Sequence, residues 1–417
     1  MMTDHPKLTQ GLLRAMNQAD GTTQLSIIVR YAPSRRIMRH TAPIRGLRHS
    51  YTYRLRPFAH VHATPSAIQE LEADPEVVRI YEDLPVHAFL DTSLPRIQVP
   101  PLWEVGLTGE GVRIAIVDTG IDASHPDFEG RIAATTDFTG EGPGDEHGHG
   151  THCAGVAAGS GAASNGKYRG VAPQASLFAA KVLRANGEGM MSDVMAGVEW
   201  AVDQGVQVIG LSLGGPGPSD GSDALSEMCD AAVQAGVVVC VAAGNDGPAS
   251  YTVGPPGAAR QVITVGASDD ADRVGLFSSR GPTADGRVKP DIVLPGVDII
   301  SARAAGTSMG TVVNEYYTSA TGTSMAAPHA VGICALLLQG EPALTPQQIK
   351  DRLMSTAVNL ALDPYTQGSG RADAYSAWRN QVQPTPTPEP TPPTPPNPSP
   401  GQGCLTSLLQ LLLWRKR

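Results

Sequence analysis

Nearly unbroken apolar runs recur along the middle of the chain and restrict how it can fold. They cover residues 113–117, 177–182, 206–213, 237–243 and 262–267. Runs of this kind are typical of parallel strands covered on both faces, because neither face alternates with polar residues that meet water. Helical patterns at 192–203 and 224–235 lie between them. This repetition of strand, helix and strand predicts an α/β fold with right-handed crossovers.

Changes in composition divide the chain into five predicted parts. A small α/β unit is indicated by strand patterns at 25–29 and 77–81 and by a helix that opens at Thr64-Pro65. Residues 384–400 include ten prolines, which predict an extended linker and not a packed core. The parts are an N-terminal extension (1–23), the small unit (24–90), the main domain (91–380), the Pro-rich linker (381–403) and an apolar, cationic tail (404–417).

Charge, cysteine usage and the chain ends exclude several classes of function. The net charge is −9 without a basic stripe, which argues against a nucleic-acid partner. The five cysteines are far apart and form no CxxC pair, which argues against a disulfide framework and a zinc site. Because no apolar secretory signal is visible, we expect a cytoplasmic location. For the tail at 404–417, weak contact with an anionic membrane surface and a frayed or self-associating end both stay open.

An aspartate at a strand end is the first candidate for chemistry. Residues 115–117 form an apolar strand pattern that ends in Asp118, and the turn residue Gly120 follows. Ligand sites of open α/β sheets form at the carboxyl ends of the strands, so Asp118 is placed where a site is expected. The pattern is weak by itself, because many such aspartates only cap turns.

A cluster of histidines is the second candidate. His147, His149 and His152 suggest a metal at first, but no Cys or Glu stands at a spacing typical of zinc sites. The same segment opens a helix of small residues. A general base at the start of that helix fits the pattern at least as well.

Ser324 is the third candidate, since it precedes the apolar helical stretch at 330–338. The free amides and the positive dipole end of a helix start favour an oxyanion on an attacked carbonyl. An ordinary N-cap serine explains this segment equally well when it is taken alone.

The three candidates become specific when they are combined. A serine hydroxyl is a weak nucleophile until a base takes its proton, and a third group has to orient that base. Asp118, His149 and Ser324 follow one another at separations of 31 and 175 residues. The order Asp, His, Ser along the chain is typical of one group of hydrolases with such a triad, and other groups have a different order.

The chain resembles the subtilisin-like serine proteases, also called subtilases or peptidase family S8. VDTGID at 117–122, HGTHCAG at 149–155 and GTSMAAPH at 322–329 resemble the three motifs of that family. LSLGG, AAGN, FSSRGP and KPDI follow in the family's order, and the likeness spans roughly two thirds of the chain, at 97–375. The stretch 148–170 resembles the intracellular alkaline branch, which lacks a signal peptide. The resemblance implies a three-layer sandwich around a mostly parallel sheet.

The resemblance also implies the roles of four residues. His149 would be the base, Asp118 would orient it, and Ser324 would be the nucleophile of a serine endopeptidase. Asn245, which the residues alone suggest is a turn residue, would donate to the oxyanion beside the backbone N–H of Ser324. Ser308 stands in a second GTSM string, but β-branched residues follow it instead of a helix, so we favour Ser324.

Substrate binding is implied by two glycine-rich segments that resemble the walls of the first specificity pocket. Their exposed backbone would pair with an extended peptide as an added strand. A glycine at the floor would leave room for a large side chain, which predicts a preference for Phe, Tyr, Leu or Met before the scissile bond. The residues of this predicted pocket are Ser212, Leu213, Gly214, Ala242, Gly244 and Gly254.

Two further residues receive expectations from the family. Asp127 matches a ligand of a structural calcium, although one carboxylate does not make a site for an ion that takes six to eight oxygens. No catalytic cofactor is expected. Cys153 lies one helical turn after His149, and we interpret it as structural and not catalytic.

The small unit at 24–90 resembles the inhibitory propeptide of subtilases. We expect a ferredoxin-like α/β domain that the new active site cleaves near Phe89 or Leu90. The expected partners of the protease are therefore this propeptide and protein or peptide substrates. A permanent structural domain is the alternative for this unit. For the whole chain, the alternative function is an inactive or tethered interaction module.

Overall fold

The computed structural model of the chain describes residues 7–32, 44–52, 57–83 and 90–380. It separates into two compact units, Met1–His87 and Ala88–Arg417. The linker, the tail and the predicted cleavage position at Phe89 lie outside the described residues. Within the described ranges, no helix is both long and apolar enough to cross a membrane.

In its described residues, the first unit is a four-stranded antiparallel sheet with two helices. Its strands lie in the order β2-β3-β1-β4, and every neighbouring pair is antiparallel. Buried residues alternate along β1 and β3, as expected where one face of a sheet is covered. The elements are α1 (Gln10–Gln18), β1 (Leu25–Tyr31), β2 (Leu47–Thr52), β3 (Phe58–Ala63), α2 (Pro65–Ala73) and β4 (Val77–Glu82).

The N-terminal extension takes part in the core of this unit. Helix α1 lies within the stretch interpreted as an extension at 1–23, and its residue Leu12 is buried together with Leu8. A helix with one apolar face has to bury it against a partner. The compact unit therefore begins before residue 24.

The second unit contains the predicted α/β domain. Its helices are α3 (Leu90–Arg96), α4 (Pro100–Glu104), α5 (His149–Ala158), α6 (Met191–Asp203), α7 (Ala224–Gln234), α8 (Thr323–Gly340), α9 (Pro346–Ser355), α10 (Pro364–Gln367) and α11 (Ala374–Arg379). Its strands are β5 (Arg113–Asp118), β6 (Ile132–Asp137), β7 (Ser176–Lys181), β8 (Val208–Leu211), β9 (Val238–Ala242), β10 (Ile263–Ser268), β11 (Ile292–Pro295), β12 (Ile299–Ala302), β13 (Thr311–Val312) and β14 (Tyr317–Ala320).

Seven of these strands form one parallel sheet in the order β11-β10-β9-β8-β5-β7-β6. Alternate residues of a strand point to opposite faces. Ile114 and Ile116 of β5 accordingly join the core under α5 and α8, whereas Ala115 and Val117 join the core under α6 and α7. The predicted three-layer α/β architecture is confirmed.

Helices α5 and α8 differ from most others in how they begin. Helices α7, α9 and α11 are each capped by the side chain of the residue before them. The residues before α5 and α8 are Gly148 and Gly322, which have no side chain to supply a cap. Since the first N–H groups of a helix lack partners within it, these two starts depend on groups from elsewhere.

Candidate active site

The site forms where three adjacent parallel strands end. Asp118 is the last residue of β5, and Ser212 and Asn245 follow the ends of β8 and β9. Because these strands are neighbours in the sheet, their carboxyl ends open onto one cleft, as is usual for open α/β sheets. Helices α5 and α8 bring His149 and Ser324 to that edge.

Asp118 and His149 form a buried pair. The Nδ1 atom of His149 lies 2.7 Å from Oδ1 of Asp118, whose side chain is fully buried, while the imidazole keeps 18% of its surface exposed. Burial favours the neutral imidazole, but the charge of Asp118, its hydrogen bond and the nearby Cys153 together outweigh this effect and raise the pKa of His149 well above 6.5. The carboxylate therefore holds one ring nitrogen and leaves the other for a substrate or nucleophile.

The close approach of α5 to β5 depends on glycines. A Cβ atom on Gly150 would lie 2.1 Å from the carbonyl oxygen of Gly120 and 3.2 Å from the Cβ of Asp118. Gly148, just before the helix, has φ 97°, a conformation that side chains rarely adopt. Without these glycines, His149 could not approach Asp118 to hydrogen-bonding distance.

Ser324 is the second residue of α8 and is partly exposed. Its hydroxyl donates to the backbone carbonyl of Ser212, at 2.8 Å. Ser308, from the second GTSM string, is exposed in a loop between β12 and β13 and begins no helix. The structure thus gives Ser324, and not Ser308, the helix start that the sequence analysis required.

Cys153 lies between the histidine and the serine. Its Sγ is 3.9 Å from Nδ1 of His149 and donates to the carbonyl oxygen of Ser324, at 3.4 Å. Pro328 has no N–H, so it cannot supply the helical hydrogen bond that the carbonyl four residues earlier would accept. The thiol of Cys153 occupies that vacant position, which accounts for a structural role of this buried cysteine.

Asn245 lies next to the start of α8. Its Oδ1 accepts from the backbone N–H of Thr323, at 2.9 Å, which fixes the amide so that Nδ2 remains a donor. A Cβ atom on Gly322 would lie 3.5 Å from this Nδ2 and 3.7 Å from the backbone nitrogen of Ser324. The two nitrogens therefore flank one small region beside the serine.

Two pockets join at the segment that follows β8. One, of about 340 Å³, is lined by Ser324, by Asn245 and by five predicted pocket residues, which are Leu213, Gly214, Ala242, Gly244 and Gly254. The other, of about 720 Å³, is lined by His149, by the sixth predicted residue, Ser212, and again by Leu213 and Gly214. The structure thus places all six predicted residues along this cleft.

Gly254 lines the pocket for a different reason from the one expected. A Cβ atom there would lie 2.2 Å from the carbonyl oxygen of Gly215 and 2.9 Å from the nitrogen of Gly217. The glycine permits two backbone segments to touch. The absence of a side chain at Gly254 therefore does not enlarge the pocket, because the backbone of residues 215–217 fills that position.

The histidine cluster does not converge. His152 is buried, its Nε2 contacts the carbonyl oxygen of Ile299 at 2.9 Å, and burial lowers its pKa to about 3. Among the described residues, the only group of three His, Cys, Asp or Glu ligand atoms within 4.8 Å is Asp118, His149 and Cys153. Of the two possibilities that the sequence left open for this cluster, the arrangement of the three histidines does not favour a metal site.

Asp127 does not fit the calcium ligand that the family suggests. Its buried carboxylate accepts from the hydroxyl of Tyr317, at 2.9 and 3.1 Å, and from the N–H of Ala163, at 3.0 Å. Hydrogen-bond donors thus face both oxygens, where a cation would need further oxygen ligands.

Sequence reasoning missed Asp145, a buried carboxylate four residues before His149. It accepts hydrogen bonds at the start of α5 and from Thr119, next to Asp118. No sequence pattern indicates this position, because its partners come from two separate segments.

A parallel α/β sheet whose strand ends hold an aspartate–histidine pair beside a serine at a helix start is the arrangement expected of a serine hydrolase. The sequence profile described as "Subtilase family" matches residues 109–376. The chain is 42% identical to "Serine protease AprX" of Bacillus subtilis (strain 168), over 75% of this chain and 76% of that protein. It is 39% identical to "Subtilisin E" of the same strain, over 75% and 78% of the two chains.

A solved structure agrees with these relatives. The crystal structure of a cold adapted subtilisin-like serine proteinase has a TM-score of 0.52 and 32% identity, and the match covers 64% of this chain and 88% of that chain. The chain belongs to the subtilase family and is a serine endopeptidase.

Proposed function

We propose that this endopeptidase cleaves through an acyl-enzyme on Ser324. The observation that carries the proposal is the 2.7 Å contact between buried Asp118 and His149, at the cleft that Ser324 also lines. Nε2 of His149 takes the proton of the Ser324 hydroxyl while Oγ attacks the peptide carbonyl. The imidazolium then passes that proton to the leaving amine, and a water molecule, activated in the same way, hydrolyses the ester.

The nucleophile has to change its hydrogen bond before it can react. The Ser324 hydroxyl donates to the carbonyl oxygen of Ser212, so its proton is engaged there and not with the base. Rotation about one side-chain bond redirects the proton to His149. Asp118 meanwhile keeps Nδ1 protonated, which leaves the lone pair on Nε2.

The developing oxyanion would be bound by two donors. Nδ2 of Asn245 and the backbone N–H of Ser324 flank the same region, and both are fixed before substrate arrives. Fixed donors in such a place are worth about 10²–10³ in kcat for each donor, a magnitude measured in subtilisin itself.

A large apolar side chain before the scissile bond fits the 340 Å³ pocket. Its walls are mostly glycine and alanine backbone, which can pair with an extended peptide while the side chain enters between them.

The small unit would act as an inhibitory propeptide and be cut near Phe89 or Leu90, close to the boundary between the two units after His87.

The test compares wild type, Ser324→Ala and Ser308→Ala on a Phe- or Leu-containing chromogenic peptide, with the intact mass of each full-length product. We expect Ser324→Ala alone to lose turnover and to keep the mass of the uncut chain. Ser308→Ala is the matched control, since it removes the same hydroxyl from the same tetrapeptide string. Turnover that survives in Ser324→Ala contradicts the nucleophile, and active wild type of full mass contradicts the propeptide.

A further inference from the structure

The first turn of α5 lacks a capping side chain directly before it. The helix begins at His149, and the residue before it is a glycine without a capping side chain. The N–H groups of the first turn need acceptors from outside the helix. Because His149 is the first residue of the helix, whatever holds this turn also sets where its imidazole lies relative to Asp118.

Asp145 accepts from one N–H group of this turn and from the two N–H groups directly before it. Its Oδ1 accepts from the N–H of Gly148 at 2.7 Å and of His147 at 3.2 Å, and its Oδ2 accepts from the N–H of Thr151 at 2.9 Å. The hydroxyl of Thr151 also donates to Oδ2, at 2.6 Å. One carboxylate therefore binds residues on both sides of His149.

Thr119 extends this network to the strand that carries Asp118. Its hydroxyl donates to Oδ1 of Asp145 at 2.8 Å and accepts from the N–H of Gly150 at 2.8 Å. Thr119 directly follows Asp118, and its own N–H donates to Oδ1 of Asp118 at 2.7 Å. A continuous set of hydrogen bonds thus joins the aspartate, the loop before the helix and the first turn of α5.

The carboxylate acts through the backbone. The five hydrogen bonds described for it come from three backbone N–H groups and two threonine hydroxyls, and none comes from the imidazole. Burying an ionised carboxylate is unfavourable unless its oxygens are satisfied, and here donors occupy both. An amide in its place would turn an NH₂ group toward at least one of those donors.

We propose that Asp145 is the positioning residue that sets the distance between His149 and Asp118. This inference rests on the proposed function, since it assigns Asp145 to the same proton transfer. It concerns a residue that would touch neither substrate nor the reacting atoms.

The test compares Asp145→Asn with Asp373→Asn in the full chain. Asp373 is a fitting control, because it is equally buried (6% exposed, against 7% for Asp145) and caps helix α11 by accepting from the N–H of Ser376, at 2.7 Å. It lines neither pocket of the cleft. Both variants therefore lose a buried capping carboxylate, but only one of the two lies beside the histidine.

In Asp145→Asn we expect kcat to fall by about 10- to 100-fold with KM little changed, since a misplacement of about 1 Å costs on that order. Asp373→Asn should keep kcat even where it lowers the melting temperature. Equal kcat in the two variants, or a rise in KM that accounts for the loss, would overturn the inference while leaving the proposed function intact.

A second readout does not depend on turnover. In a Ser324→Ala background, the proton on Nδ1 of His149 should give a far-downfield NMR resonance that Asp145→Asn shifts or broadens and Asp373→Asn leaves in place. A resonance unchanged in Asp145→Asn would refute the positioning role. A wild type without peptidase activity would refute the proposed function, and the NMR result would still decide the role of Asp145.

Discussion

In the proposed mechanism, two individual residues, Asp118 and His149, set the pH range in which the enzyme can work. The charge of Asp118 raises the pKa of His149 above its ordinary value of 6.5, in spite of burial. A general base has to be neutral, so activity is lost as the pH falls through this raised pKa. The same contact stabilises the folded state below about pH 6.5, and this stabilisation is lost as the pH rises through the pKa of the folded protein.

Asp118→Asn should therefore move the acid limb of the pH profile of kcat/KM to lower pH. The amide keeps the shape of the carboxylate but removes its charge, and it favours the wrong tautomer of His149. We expect kcat to fall by about 10⁴-fold, as in other triad enzymes. The measurement is a pH profile from 5 to 11, where an acid limb that stays in place would contradict this origin of the pKa.

At the scale of helices and strands, α8 shows how tightly the fold is packed around the serine. Fifteen of its eighteen residues are buried. A Cβ atom on Gly332 would lie 2.4 Å from the Cβ of Val171 and 2.8 Å from the carbonyl oxygen of Ala157, on α5. The two helices that carry His149 and Ser324 thus approach one another at a glycine.

Gly332→Ala should destabilise the second unit. Alanine favours a helix by about 1 kcal/mol over glycine, but overpacking costs about 1–3 kcal/mol and also separates α8 from α5. Denaturant unfolding in a Ser324→Ala background, which prevents self-digestion, measures the difference. Gly21→Ala is the control, because a Cβ atom there meets nothing within 4 Å. Equal stability of the two variants would show that the contact can relax.

The elements that could be predicted from the sequence are those whose signal is local. Strand β5 was expected at 113–117 and ends at Asp118, and helix α7 was expected at 224–235 and ends at Gln234. Strands β12 to β14 were not predicted, because their pairing depends on segments brought together by the rest of the fold. The same holds for the site. The motifs indicate Asp118 and Ser324, whereas the roles of Asp145 and of the Cys153 thiol depend on hydrogen bonds to segments distant in the sequence.

At the scale of the whole molecule, the residues of the site lie in the second unit. Residues 118–324 of this unit supply every group assigned to the chemistry, and α11 ends at Arg379, before the linker. A chain cut after residue 383 retains all of these elements.

Deletion of residues 384–417 should therefore leave kcat and KM on a peptide unchanged. The comparison needs the full chain as reference and the same deletion with Ser324→Ala as the inactive control. Loss of peptide turnover on deletion would mean that the linker or the tail contributes to the site, and it would return the tethered interaction module to consideration.

The backbone contacts around His149 also constrain how this protein can evolve. Gly150 meets the carbonyl oxygen of Gly120, and a Cβ atom on Gly155 would lie 2.9 Å from the backbone nitrogen of Ala302. Most exposed residues can be exchanged at little cost, but a side chain at either of these glycines would meet backbone atoms of another segment. The segment from His149 to Gly155 should thus tolerate fewer substitutions than most of the chain. Its short sequence motif reflects close backbone packing as well as chemistry.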